Sequence, residues 1–284
     1  MPKKKLERVI LIVCEGTATE PQYFKWIAEN RSCTDGAWDM VDIHHSSTIP
    51  NDIPIPVKSE LGGNRKTRKF ENPNRRKQNK RNILKELFED QYGSSTGIEK
   101  YEEIKAVPLR YVAHARLLEE RSNIYEEIWV VFDKNGHSYH KEAFELAERK
   151  VNDKKINIAF SSRSFEQWIL LHFEKSSKPF EKTSCKDNNG KLLGCNADKG
   201  CHGELCLTGY ISSKYLPKYE KSNKNADLDD MMNILLSKTI QAFENAKWLR
   251  QEQQEALQEN SGQVYMVNPY TNMDILVKNL LDIN

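Results

Sequence analysis

The chain has 284 residues, 30% charged and 38% apolar, with a formal net charge of +2. That length and make-up suit one large domain, or a core with a smaller appendage, and no run approaches the roughly 18 apolar residues of a membrane helix. The opening Met1-Pro2-Lys3-Lys4-Lys5 lacks the apolar stretch of a secretory leader, so a cytoplasmic chain with no membrane partner is expected.

In chain order, Val9-Ile10-Leu11-Ile12-Val13 is an unbroken apolar run, mostly β-branched. It predicts a strand buried on both faces, the kind found in parallel sheets covered by helices. Glu15 stands where the strand ends, and Gly16 permits a sharp turn. Thr19 can cap the next helix, Pro21 suits its first turn, and Tyr23, Phe24, Ile27 and Ala28 recur at helical spacing. Glu15 thus falls at the carboxyl end of a strand, where open α/β sheets place their sites; the alternative is a solvated loop residue.

Residues 40–45 alternate as a second strand, and residues 46–63, rich in Ser, Pro and Gly, read as loop. Residues 64–81 then hold nine basic side chains (Arg65, Lys66, Arg68, Lys69, Arg75, Arg76, Lys77, Lys80 and Arg81) and one acid, Glu71, a local charge of +8. Such a block is a candidate arm for nucleic-acid phosphates, or simply a solvated loop. Helical patterns follow at 82–90 and 107–121. A third strand, residues 128–132, ends in Asp133-Lys134-Asn135-Gly136-His137. A helix is expected at 139–152 and a short strand at 156–160. Ser164 then opens a helix through residue 174, with Gln167 completing a capping box.

This alternation predicts an α/β domain over residues 1–175, a parallel sheet flanked by helices with a basic insertion at about 46–106. Residues 176–226 form an irregular Cys-rich insertion. Residues 227–284 form a carboxyl-terminal helical region packing on the sheet, with one long helix at 228–257 that offers a homodimer surface and a last helix at 272–283.

Glu15 and Asp133 both end buried strands, and carboxyl ends of parallel strands share one edge, so the two acids can converge. With Asn135 they offer oxygen ligands to Mg²⁺ or Mn²⁺, which need one or two carboxylates plus water and substrate phosphate. Such an ion polarises a phosphoryl oxygen and helps generate the nucleophile. His137 suits only a softer ion such as Mn²⁺.

The motifs Glu15-Gly16-x-x-Thr19-Glu20-Pro21-x-Tyr23-Phe24, Trp129-x-Val131-Phe132-Asp133-Lys134 and Ser162-x-x-Phe165-Glu166-x-Trp168-Ile169-Leu170-Leu171-His172-Phe173-Glu174 resemble those of the RloB-like family. Leu216-Pro217-x-Tyr219-x-Lys221 and Asn268-Pro269-Tyr270-Thr271 follow in the same order. The resemblance implies a Toprim-like fold, as in nucleases, primases and topoisomerases, with Mg²⁺ held by a Glu after the first strand and an Asp-x-Asp after a later one. It implies bacterial anti-phage or abortive-infection defence, often beside an ATPase partner. Glu15 matches the Toprim glutamate and Asp133 the first Asp; Asn135 replaces the second, which removes one charge from the ion's site. Glu20, Glu166 and His172 fall on family motifs and become catalytic candidates. Against that, Glu20 and Glu166 are also what a helix dipole favours in a first turn, and His172 sits where a core histidine would. Arg163 departs from the family's Ser-Asn-Pro and can reach a phosphate or lie idle.

Cys185, Cys195, Cys201 and Cys206 cluster in the 176–226 segment. In a reducing compartment that suggests a structural Zn²⁺, with His202 as substitute ligand, although the spacing lacks the C-x2-C pair of common zinc modules. The alternative is a loop of reduced thiols. The resulting expectation is a divalent-metal-dependent nuclease. Its rivals are a catalytically weak or dead nucleic-acid sensor or adaptor for an ATPase, and a nucleotide- or tRNA-processing enzyme.

Overall fold

The computed structural model describes residues 8–30, 38–48, 107–134, 139–184, 206–217, 219 and 228–283. The basic block at 64–81, the helix expected at 82–90, Asn135, His137, Cys185, Cys195, Cys201 and His202 lie outside the described residues.

The chain runs β1 (Val9–Cys14), α1 (Thr19–Asn30), β2 (Met40–His45), a short 3-10 turn (Ser46–Thr48), α2 (Val107–Ser122), β3 (Glu127–Asp133), α3 (His140–Glu148), β4 (Asn157–Ser162) and α4 (Glu166–Leu171). Then come α5 (Leu207–Lys214), α6 (Leu228–Ser237), α7 (Thr239–Glu252), α8 (Gln254–Glu259), a 3-10 turn (Val264–Met266), β5 (Tyr270–Thr271) and α9 (Met273–Leu281).

One five-stranded sheet has the order β2-β1-β3-β4-β5. Its first four strands are parallel, and β5 pairs antiparallel to β4 through Ser161 opposite Thr271 and Ser162 opposite Tyr270. The architecture is therefore α/β, a mostly parallel sheet flanked by helices.

Strand geometry explains why β1 is apolar at every position. Successive side chains point to opposite faces. Ile10, Ile12 and Cys14 join a core with Tyr23, Phe24 and Ile27 of α1, Trp168 and Ile169 of α4, Phe243 and Leu249 of α7, and Leu276 and Leu280 of α9. Val9, Leu11 and Val13 face the other core, with Leu109 and Val112 of α2 and Ala143 and Leu146 of α3. All six β1 residues are buried. The carboxyl-terminal helices share the first core.

Five sequence expectations change. The helix expected at 228–257 is three helices, broken at Lys238 and Gln253. At the first break the Thr239 hydroxyl donates to the Leu235 carbonyl, a side-chain bond that competes with the helical ladder. The capping box at Ser164 does not form. The Ser164 hydroxyl donates to the Glu166 carboxylate at 2.6 Å, Phe165 takes the cap position, and the Gln167 amide is buried without a hydrogen-bond partner. That helix is also shorter than 164–174, and the 139–152 helix ends at Glu148. Finally, residues 176–226 are not wholly irregular: α5 lies within them and buries Leu207, Tyr210 and Ile211.

Candidate functional site at the carboxyl edge of the sheet

Parallel pairing brings the carboxyl ends of β1, β3 and β4 to one edge. The β1–β3 ladder runs one residue beyond the strand, where the Glu15 backbone N–H donates to the Val131 carbonyl at 2.8 Å. This aims the Glu15 side chain across the tip of β3, and the Asp133 backbone N–H donates to Glu15 Oε2 at 3.0 Å. Asp133 is only 3% exposed. Its carbonyl accepts from His140 Nε2 at 3.1 Å, which ties the strand tip to α3.

Glu20 completes the acidic edge from α1. Its carboxylate lies over Gly16: a Cβ built at position 16 would stand 1.8 Å from Glu20 Oε2. A residue without a side chain is what lets helix and strand tip approach so closely. Glu166 is fully buried beneath the same edge and accepts from Ser164 Oγ at 2.6 Å and from the Tyr219 hydroxyl at 2.9 Å.

The electrostatics mark these groups as neighbours. Burial, and then the Glu20 charge, push the Cys14 thiol up. Burial pushes the Tyr219 phenol well up, and the charges of Glu166 and Glu20 add to it. The Tyr111 phenol is raised mainly by burial and next by Glu15, and its hydroxyl reaches the Glu15 carbonyl at 3.5 Å. On the basic side, burial and the nearby Arg163 guanidinium both lower the Lys134 ammonium.

The structure thus gathers Glu15, Glu20, Asp133 and Glu166 at one edge, with Arg163 just beyond β4. His172 is placed elsewhere. It is fully buried beyond the other end of α4, its Nδ1 bonded to the Trp168 carbonyl at 3.0 Å and its ring edge-on to Trp168 at 4.6 Å. Burial pushes its pKa down to about 4, with Lys238 adding to the shift and backbone hydrogen bonds to Trp168 and Ile169 opposing it. Among the described residues, the hydrogen bond and ring contact of His172 are to Trp168 and not to the acids. Cys206 is also buried, and its thiol donates to the Thr183 carbonyl at 3.2 Å.

Sequence reasoning assigned no role to Tyr111, His140, Lys134 or Tyr219. Lys134 and Tyr219 stand inside the quoted motifs, which was the available signal. Tyr111 and His140 reach the edge only through helix packing. Among the described residues no helix is long and apolar enough to cross a membrane, and no three His, Cys, Asp or Glu side chains come together at metal-binding spacing.

These features define a mostly parallel α/β protein whose sheet gathers carboxylates at its carboxyl edge. Over residues 10–280 the chain matches the family described as RloB-like protein, and it belongs to that RloB-like family. Neither a curated protein nor a solved structure matches it.

Proposed function

We propose that this chain is a divalent-metal-dependent nuclease of the Toprim type, hydrolysing phosphodiesters of DNA or RNA in bacterial anti-phage defence. The observation that carries the reading is the meeting of Glu15 with the tip of β3, where Asp133 N–H donates to Glu15 Oε2 at 3.0 Å. Two strand-tip acids on neighbouring parallel strands form a hard oxygen donor set. That fits Mg²⁺ or Mn²⁺, which are held by one or two carboxylates with waters and substrate phosphate filling the remaining positions. Glu15 and Asp133 would hold the ion, joined by Asn135. Such an ion, when bound, polarises a phosphoryl oxygen and lowers the pKa of water. The chain's own part is positional. Glu15 orients the β3 tip through the Asp133 N–H, Gly16 seats Glu20 against β1, and Tyr219 and Ser164 satisfy the buried Glu166. The basic block at 64–81 would hold the nucleic-acid backbone.

One observation favours a second reading. Position 135 is Asn, and among the described residues no three His, Cys, Asp or Glu side chains come together at metal-binding spacing. That suits a catalytically weak or dead nucleic-acid sensor or adaptor for an ATPase partner.

Purified protein incubated with supercoiled plasmid and with total RNA, in Mn²⁺, Mg²⁺ or chelator, separates these readings. Glu15→Gln retains an oxygen acceptor for the Asp133 N–H, so the fold should persist while metal-dependent cleavage falls by roughly a hundredfold or more. Absence of metal-dependent cleavage of either polymer, with salt-sensitive binding intact, would replace the nuclease by the sensor. Polymer growth, or a discrete set of tRNA fragments, would replace it by a nucleotide- or tRNA-processing enzyme.

A further inference from the structure

Two cations stand beside the acids. Lys134 follows Asp133 at the tip of β3, and Arg163 follows Ser162 at the tip of β4. The strands are in register there, Asp133 opposite Ser161, and the Lys134 N–H donates to the Ser161 carbonyl at 3.1 Å. Both side chains are half-buried, and their charges act on one another. Neither makes a salt bridge or a side-chain hydrogen bond with another described residue, and Arg163 Nε is shielded from water without an acceptor.

Two like charges held together in partial burial, one with an unsatisfied N–H, are an unfavourable arrangement for a bare protein. The carboxylates at the same edge have other contacts. Glu15 accepts the Asp133 N–H, Glu20 is seated over Gly16, and Glu166 holds Ser164 and Tyr219. An oxyanion resolves the arrangement: a guanidinium fork matches two tetrahedral oxygens, and an ammonium adds a point charge.

We propose that Lys134 and Arg163 form a phosphoryl-binding notch that takes one phosphate group of the nucleic-acid substrate directly beside Glu15 and Asp133. This rests on the nuclease reading for the identity of that phosphate, the scissile one. Binding of the oxyanion itself stands independently of cleavage.

The test is calorimetric titration of the full chain with inorganic phosphate at low ionic strength, without divalent metal. Wild type is compared with Lys134→Gln, Arg163→Gln, Lys134→Arg and Arg163→Lys. Each charge-removing variant should weaken phosphate at least tenfold; Lys134→Arg should bind within threefold of wild type, and Arg163→Lys should fall between. Thermal melts confirm that each variant folds, and if a Gln variant fails to fold the charge-retaining variants decide by the same ranking. Glu15→Gln should bind phosphate as well as wild type or better. Equal phosphate affinity in wild type and all four variants, or none in wild type, overturns the notch. Phosphate binding that follows the predicted ranking in a protein without nuclease activity keeps the notch and discards the nuclease. Cleavage that persists unchanged in Lys134→Gln and Arg163→Gln overturns the assignment of the scissile phosphate to the notch and keeps the nuclease.

Discussion

Arg250→Met should destabilise the fold by an amount the structure sets. Arg250 on α7 grips Asp274 on α9 with both arms of its fork, Nη1 to Oδ1 at 2.5 Å and Nη2 to Oδ2 at 2.8 Å. Nη1 also donates to the Thr271 carbonyl at 2.9 Å. The Asp274 side chain is 3% exposed and that of Arg250 24%. Removing one member of a buried pair strands the other charge, at a cost of about 3–5 kcal/mol. Water can enter where Arg250 is partly exposed, so the low end, about 3 kcal/mol, applies here. In a protein of this size each kcal/mol moves Tm by roughly 2–4 °C, so Tm should fall by roughly 6–12 °C in a calorimetric scan. Thr271 pairs with Ser161, so amide exchange should rise first at the carboxyl tip of β4. Arg250→Met with Asp274→Leu should recover most of the loss, because an apolar pair replaces an ionic one. A single-variant Tm within about 2 °C of wild type would refute this reasoning.

Two further perturbations probe the core and the site. The pKa of His172 is about 4 in the fold, against about 6.5 in an unfolded chain. Between those values the unfolded chain binds a proton that the folded one refuses, so the stabilising contribution is complete above pH 6.5 and is lost as pH falls towards 4. Between pH 7 and 5 this residue should account for about 2 kcal/mol of lost stability, which His172→Phe should remove from the urea-unfolding profile. Identical pH slopes for variant and wild type would contradict it. At the site, Gly16→Ala should swing the Glu20 carboxylate off its seat, since the new Cβ would come within 1.8 Å of Oε2. The displaced atom ends a flexible side chain, so stability should change by less than about 1 kcal/mol while cleavage drops to the level of Glu20→Gln. Wild-type cleavage by Gly16→Ala would remove any role for that seat.

Much of this molecule was decided locally, and the local signals show where. A β-branched run with no polar residue has few homes outside a sheet covered on both faces, so β1 and β3 were legible, and with them the positions of Glu15 and Asp133 at the strand ends. Periodicity likewise placed α1, α2 and α3. Where several structures satisfy one pattern, it failed. The apolar spacing over 228–257 is the same for one helix or three, and a side-chain bond from Thr239 to Leu235 marks the first break. Ser164 and Gln167 have the identities of a capping box, yet a buried Glu166 takes the Ser164 hydroxyl.

Tertiary structure alone determined which groups meet. Strand order put β1 beside β3 and β3 beside β4, so residues more than a hundred positions apart share an edge. Helix packing supplied Tyr111 and His140, and the chain's return from α5 supplied Tyr219. The same packing carried His172, six residues from Glu166, beyond the other end of a buried helix and away from the acids. The sequence determined which residues stand at strand ends, because burial and backbone pairing act over a few residues. The tertiary fold decided which of those ends converge, because contacts across a sheet depend on the whole chain.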